Sequence, residues 1–154
     1  TLQKYAEQYG WTLIDDSNRK DMFMDMIRQM DMSYSYKPVL IKAVMMYADD
    51  NGRIKLEDIV HYFRTYYENR RAAGMKVEKA NSIFAKGGYT DKEAERNILS
   101  NPFKRFEDMQ MLRHTKTLGI VQVDEAVWKK LSKEEKAEIT CICDAKLKDY
   151  FNRG

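Results

Sequence analysis

The chain has 154 residues, of which 44% are hydrophobic and 33% are charged, and its formal net charge is +3. This balance favours a folded domain over a disordered chain, because enough apolar side chains are present to form a core. No apolar run approaches the roughly 20 residues that span a bilayer, and two cysteines are too few for a disulfide framework. We therefore expect a cytoplasmic protein without membrane contact, built as one domain with appended helices.

The first segment, residues 1–33, is predicted to be a helical extension that packs on the rest of the domain. Apolar residues recur in it at spacings of one, three and four, as they do on the buried face of a helix. The next helix, residues 36–48, has almost no polar face, so we expect it at the centre of the domain. The apolar residues of the first segment are Met22, Phe23, Met26, Ile27 and Met30.

The sequence Asp49-Asp50-Asn51-Gly52 follows this helix and has the rhythm of an EF-hand calcium loop. With Gly52 at position 6 of such a loop, position 1 falls on Tyr47, whose neutral phenol does not replace the required carboxylate. The chain also has no second loop of this kind. We therefore predict an Asn-Gly turn without bound metal, in which Asn51 and Gly52 both adopt left-handed backbone conformations.

The remaining elements are delimited by turn and capping signals. Thr90 with Glu93, and Ser132 with Glu135, form capping boxes that each open a helix. Pro102 suits the first position of a further helix, where its missing N–H costs nothing. In chain order we predict a strand at 53–56, a helix at 57–73, an irregular insertion at 74–89, helices at 90–99 and 102–109, a β-hairpin with strands at 111–114 and 120–123, and a last helix from 132.

This order of elements predicts a mainly α protein that contains a winged helix-turn-helix-like domain with a small antiparallel sheet. We assign that domain to residues 34–131, including the insertion at 74–89. Extra helices precede and follow it, as the N-terminal extension at 1–33 and a C-terminal helix at 132–154. Because the chain begins with Thr rather than Met, we expect it to be a piece of a larger protein or a processed chain.

Three stretches carry a family resemblance: RKDMFMDMIRQMDMSYSYKPVL at 19–40, YFRTYYENRRAAG at 62–74 and NILSNPFKRFEDM at 97–109. They resemble the C-terminal region of bacterial DEAD/DEAH-box, superfamily II helicase-like proteins, many of which look like restriction or phage-defence factors. The resemblance covers nearly the whole chain and implies an accessory domain of such a protein. It also implies that ATP and magnesium belong to motor domains of the parent protein, and no cofactor is expected in this chain.

Catalysis by the chain itself is not expected. It has neither the G-x-x-x-x-G-K-[ST] loop that binds phosphates nor the Asp-Glu-Ala-Asp/His box that binds magnesium. His61 and His114 are its only histidines, and neither belongs to a metal-binding motif or stands beside a recognisable nucleophile. A structural role is therefore the simpler interpretation of both.

Two function classes remain open from the sequence. Residues 61–118 contain 12 Lys or Arg and 7 Asp or Glu, a basic excess that favours weak, salt-sensitive contact with DNA or RNA. The methionine-rich helix at 22–32 and tyrosines that look exposed favour instead a docking or scaffold domain for another protein or for the parent's motor domains. The candidate nucleic-acid-binding residues are Lys92, Arg96, Lys104, Arg105, Arg113 and Lys116.

Overall fold

The computed structural model describes residues 16–153. It confirms the predicted fold class, a mainly helical winged-helix-like protein with one small antiparallel sheet. Its elements in chain order are α1 (Asp16–Arg28), α2 (Tyr36–Tyr47), β1 (Arg53–Lys55), α3 (Leu56–Ala72), α4 (Ile83–Lys86), α5 (Asp91–Ser100), α6 (Phe103–Asp108), β2 (Leu112–Thr115), β3 (Ile120–Val123), α7 (Glu125–Lys130) and α8 (Lys133–Phe151).

The sheet has the strand order β1-β3-β2, and both neighbouring pairs are antiparallel. Strand β1 therefore pairs with the far strand of the hairpin, although α3 to α6 and β2 lie between them in sequence. Ile54 faces Val121 across the β1–β3 pair, and both are buried. One face of the sheet thus closes the core and the other is left to polar residues, as expected for an antiparallel sheet with one covered face.

Helix α2 lies at the centre of the core, as its apolar composition predicts. Val39, Leu40, Ile41, Ala43 and Val44 each have 0% of their surface exposed. Helices α3 and α8 both pack against α2, and even the three consecutive residues Val39 to Ile41, which point in different directions on a helix, are covered. Only the C-terminal end of α2 reaches the surface, where Met46 is 62% exposed.

The methionine-rich face of α1 is buried inside the protein. Met22, Phe23 and Ile27 have 0% exposure, because α1 packs against α7 and α8. This face is therefore covered and does not form the open docking surface that the sequence suggested for residues 22–32. Two tyrosines are buried as well, Tyr36 at 3% and Tyr67 at 0%. Residues 1–15 of the predicted N-terminal extension lie outside the described residues.

Two short helices were not predicted. Helix α4 interrupts the insertion that was expected to be irregular, and the Ser82 hydroxyl caps it by accepting the backbone N–H of Phe84. Helix α7 begins after Asp124, whose carboxylate accepts the backbone N–H of Val127. Its Trp128 lies against Gly52, and a Cβ atom built on that glycine would stand 2.8 Å from the indole ring. Gly52 is therefore required both by its φ of 76° and by this close approach.

A buried carboxylate connects the insertion to three helices. Glu78 is 4% exposed, and its Oε2 accepts hydrogen bonds from the backbone N–H of Ser35 at 2.7 Å and from the Ser35 hydroxyl at 2.5 Å. Its Oε1 accepts the backbone N–H of Lys79 at 2.8 Å and the phenol O–H of Tyr150 on α8. Ser35 Oγ also lies 2.6 Å from Tyr67 Oη on α3. Four donors therefore compensate the cost of burying the Glu78 side chain.

Replacing Leu40 by Asp should destabilise the protein severely, because it places an unpaired charge in the centre of the core. We expect a loss comparable to the whole free energy of unfolding, which is about 5–15 kcal/mol for a typical domain. Urea denaturation followed by circular dichroism measures it. The control is Met46→Asp at the exposed end of the same helix, which should change stability by less than about 1 kcal/mol. Equal stability of the two variants would show that α2 is not the core helix.

Replacing Glu78 by Gln should lower the free energy of unfolding by roughly 1–3 kcal/mol, because an amide NH₂ then faces hydrogen-bond donors. Thermal and urea denaturation measure this change. Glu107→Gln is the matched control, since within residues 16–153 the ion-pair contact of the exposed Glu107 carboxylate is a long one, 3.8 Å to Lys104 Nζ. The control should stay within about 0.5 kcal/mol of the unchanged protein. A Glu78 variant as stable as the control would mean that the buried network contributes nothing to stability.

Candidate nucleic-acid interface

Helix α5 presents two of the predicted cations side by side. Its N-terminus is fixed by the predicted capping box, in which Thr90 and Glu93 exchange hydrogen bonds of 3.1 Å. Ala94 and Ile98 are buried on one side of the helix, so Lys92 and Arg96, one turn apart, lie exposed on the opposite side. Within residues 16–153 neither side chain makes an ion pair.

Helix α6 contributes less positive charge than its sequence suggests. Phe103 and Phe106 are buried as predicted, and Lys104 is exposed. Lys104 Nζ lies 2.9 Å from Asp108 Oδ1, and this hydrogen bond raises the pKa of Lys104. The helix begins after Pro102, which occupies the N-cap instead of the predicted first helical position. With only six residues, α6 is too short for its N-terminus to be relied on as a phosphate site.

Arg105 lies on another side of α6 and borders a small cavity at the corner between α1 and α2, together with Asp31 and Lys37. Burial lowers the pKa of Lys37, and the nearby positive charge of Arg105 lowers it further. Lys37 Nζ donates to the backbone carbonyl of Asp31 at 2.9 Å. Arg105 thus belongs to a different part of the surface from Lys92 and Arg96.

Arg113 lies on the polar face of the sheet. The strand register aligns Arg53 with Gln122 and Gln122 with Arg113, and Arg53 Nε donates to Gln122 Oε1 at 2.9 Å. Arg113 borders a groove of about 620 Å³ that also contains Arg19 and Asp124, whose side chains form an ion pair of 3.0 Å. Arg53, Gln122 and Arg113 thus form one row across the sheet. The sequence did not indicate Arg53 as a member of this row, because only the pairing of strands distant in sequence aligns it with Arg113.

Lys116 is exposed in the turn between β2 and β3. The end of this turn, at Leu118 and Gly119, borders a groove of about 860 Å³ that is shared with most of the length of α3 and with the first half of α5. The groove contains more acidic than basic side chains. The acids are Glu57, Glu68, Asp91 and Glu95, and the cations are Lys55 and Arg64, of which Arg64 is ion-paired with Asp91.

The six predicted cations therefore fall into separate groups. Helix α5 and the end of the hairpin turn border the same groove, but Lys92, Arg96 and Lys116 on these two elements do not line it. Arg105 and Arg113 border two other cavities. Lys104 forms an ion pair with Asp108 on its own helix. Lys92 and Arg96 therefore remain as one exposed pair on α5, and Lys116 is exposed on the neighbouring turn.

Neither histidine takes part in a recognisable catalytic arrangement within the described residues. His61 is exposed on α3 with its Nε2 at 3.4 Å from Thr65 Oγ1, and the His114 ring stands edge to face with Phe103. Across residues 16–153 there is no group of three or more His, Cys, Asp or Glu side chains that could hold a metal ion. None of the helices in that range is both long and apolar enough to cross a membrane.

The Asp49–Gly52 turn is held by hydrogen bonds at the positions that an EF-hand would use for calcium. Asp49 Oδ1 accepts the backbone N–H groups of Asn51 at 2.9 Å and Arg53 at 3.0 Å, and the bond from Arg53 is the main cause of a lowered pKa for Asp49. Gly52 has the predicted left-handed conformation. The same prediction is wrong for Asn51, since Gln110 is the one non-glycine residue with positive φ in the described part of the chain.

No protein-family model, curated protein or solved structure matches this chain.

Titration of the protein with calcium in the millimolar range should produce no binding heat in a calorimeter. Asp49 would have to release two backbone N–H groups to act as a ligand. Tyr47, at the first ligand position, packs its ring against Tyr62 with the centroids 6.1 Å apart. A stoichiometric site with a dissociation constant below about 10⁻³ M, the weak end of known loops, would contradict this interpretation of the turn.

Proposed function

We propose that this chain is a non-catalytic accessory domain that contacts DNA or RNA through the surface formed by α5 and the hairpin turn. The observation that carries the proposal is the pair Lys92 and Arg96, which lie exposed, one turn apart and without an ion-pair partner in residues 16–153. The spacing of these side chains allows them to contact neighbouring phosphates along one backbone. Lys116 adds a third cation from the turn.

The arrangement of elements supports this surface. A helix precedes β1, helices separate β1 from the hairpin, and β3 lies in the middle of the sheet. In helix-turn-helix proteins the second helix lies in the major groove while the first crosses the phosphate backbone, and α5, which precedes α6, stands in the position of the first helix. The acidic groove beneath Lys116 opposes binding, so the affinity should be that of non-specific contacts, about 10⁻⁴–10⁻⁶ M.

The parent protein is proposed from the family resemblance alone. The stretches at 19–40, 62–74 and 97–109 resemble the C-terminal region of bacterial helicase-like proteins, so we propose that the chain serves a cytoplasmic, ATP-dependent motor of the restriction or phage-defence type. In this proposal the motor supplies ATP and magnesium chemistry, and the domain helps to hold its nucleic-acid track. An open reading frame that places a G-x-x-x-x-G-K-[ST] motif in frame upstream of this chain would support it, and a complete frame without motor motifs would refute it.

Fluorescence anisotropy with labelled duplex and single-stranded oligonucleotides at several salt concentrations tests the contact surface. We expect weak binding. The logarithm of the observed association constant should fall linearly with the logarithm of the salt concentration. The double variant Lys92→Glu, Arg96→Glu should bind more weakly, with a salt slope smaller by about 2, because two phosphate contacts are lost.

Two further double variants complete the experiment. The first is the control Lys129→Glu, Lys133→Glu, which changes the net charge by the same amount as the α5 variant. Its two residues lie on α7 and α8, which pack against α1, so it should leave the salt slope unchanged. Lys104→Glu, Arg105→Glu tests the helix that the sequence favoured and should have a smaller effect than the α5 variant. Absence of binding at low salt, or equal losses in the α5 and control variants, would refute nucleic-acid contact at α5 and leave the docking hypothesis.

A further inference from the structure

A fourth cavity lies on the side of α3 that faces away from the acidic groove. It has a volume of about 540 Å³ and is bordered by α2, α3, the start of the insertion and α8. Tyr66, Leu147 and Phe151 form its apolar wall, and Met75 at its rim is 55% exposed. Helical periodicity places Tyr66 and Arg70 opposite His61 and Glu68 on α3, so this cavity is separate from the acidic groove.

The charge around this cavity is strongly unbalanced. Among the residues that the structure describes, its border contains four cations and one carboxylate, Asp144. That carboxylate is already engaged, because Lys42 Nζ lies 2.6 Å from Asp144 Oδ1. Within the described residues the other three cations make no ion pair. They are Arg70, Lys76 and Lys148.

Arg70 is held in place before any ligand arrives. Its guanidinium carbon lies 3.5 Å from the centroid of the Phe151 ring, and its Nε donates to the backbone carbonyl of Lys76 at 2.6 Å. A planar guanidinium fixed in this way loses little freedom when its terminal nitrogens bind a carboxylate. The adjoining Met75 side chain is flexible and can adapt to an apolar group.

We propose that this cavity is a docking site for an acidic protein segment that carries an aliphatic side chain between its carboxylates. The carboxylates complement Arg70, Lys76 and Lys148, and the aliphatic side chain packs on Tyr66, Leu147 and Met75. Single-stranded nucleic acid fits less well, because it would need an open aromatic face for base stacking. Arg70 covers the Phe151 ring, and the Tyr66 ring is in contact with Tyr67 at a centroid distance of 5.0 Å.

The test uses a short fluorescein-labelled peptide, Glu-Glu-Leu-Asp-Glu flanked by Gly and Ser, and measures its anisotropy on titration with the protein. We expect saturable binding by the unchanged protein. The double variant Lys76→Glu, Lys148→Glu should bind roughly tenfold more weakly, the size expected for losing two charge pairs at a rim. Both side chains are exposed, so the variant should fold normally, and thermal denaturation checks this.

Matched controls separate the proposed site from general charge attraction. The equally charged Lys129→Glu, Lys133→Glu variant should bind as the unchanged protein does, and so should Lys92→Glu, Arg96→Glu, which tests the other surface. A peptide with Leu replaced by Ser, and the exposed Met75→Ser variant, should both weaken binding. Three results would overturn the proposal. They are equal losses of affinity in all charge variants, equal affinity for the peptides with Leu and with Ser, and displacement of the labelled peptide by unlabelled oligothymidine at a lower concentration than by unlabelled peptide.

Discussion

The burial of helix α2 is the constraint on which the rest of the structure depends. Because residues from Val39 to Val44 leave almost no polar side, a single neighbouring layer would leave part of the helix in water at a cost of about 25 cal/mol per Å² of apolar surface. Helices α3 and α8 therefore both pack on it. The C-terminal helix is thereby a part of the core, with Ile139 and Cys143 fully buried in it, and burial raises the pKa of the Cys143 thiol to about 12.

Once α2 is covered, polar contacts fix how the other elements meet it. Glu78 joins the insertion to the start of α2 and to Tyr150 of α8, while Trp128 of α7 closes over Gly52 and donates its indole N–H to the Asp49 carbonyl at 3.1 Å. The turn that resembles a calcium loop is therefore a packing site. Its glycine admits the indole, and its aspartate satisfies backbone N–H groups that no strand or helix would satisfy.

Helix α3 divides the surface into two regions of different charge. One side borders the acidic groove shared with α5 and the hairpin turn, and the other borders the basic cavity shared with α8. The net charge of +3 describes neither region. This separation makes the two proposals independent. The cations of one proposal lie on other elements than those of the other, and different substitutions reverse their charges.

Local signals in the sequence determined most of the elements. Helical periodicity indicated the buried faces of α1 and α2, capping boxes marked the starts of α5 and α8, and alternation and turn residues predicted the hairpin, because each of these effects acts between residues a few positions apart. Tertiary structure alone decided which charges share a surface. Packing brings Arg105 close to Lys37 and Arg70 onto Phe151, and strand register places Arg53 and Arg113 on either side of Gln122. The sequence shows where each Lys or Arg stands in the chain. Contacts between segments far apart in the chain decide which residues surround it, and therefore which ion-pair partners and ligands it can have.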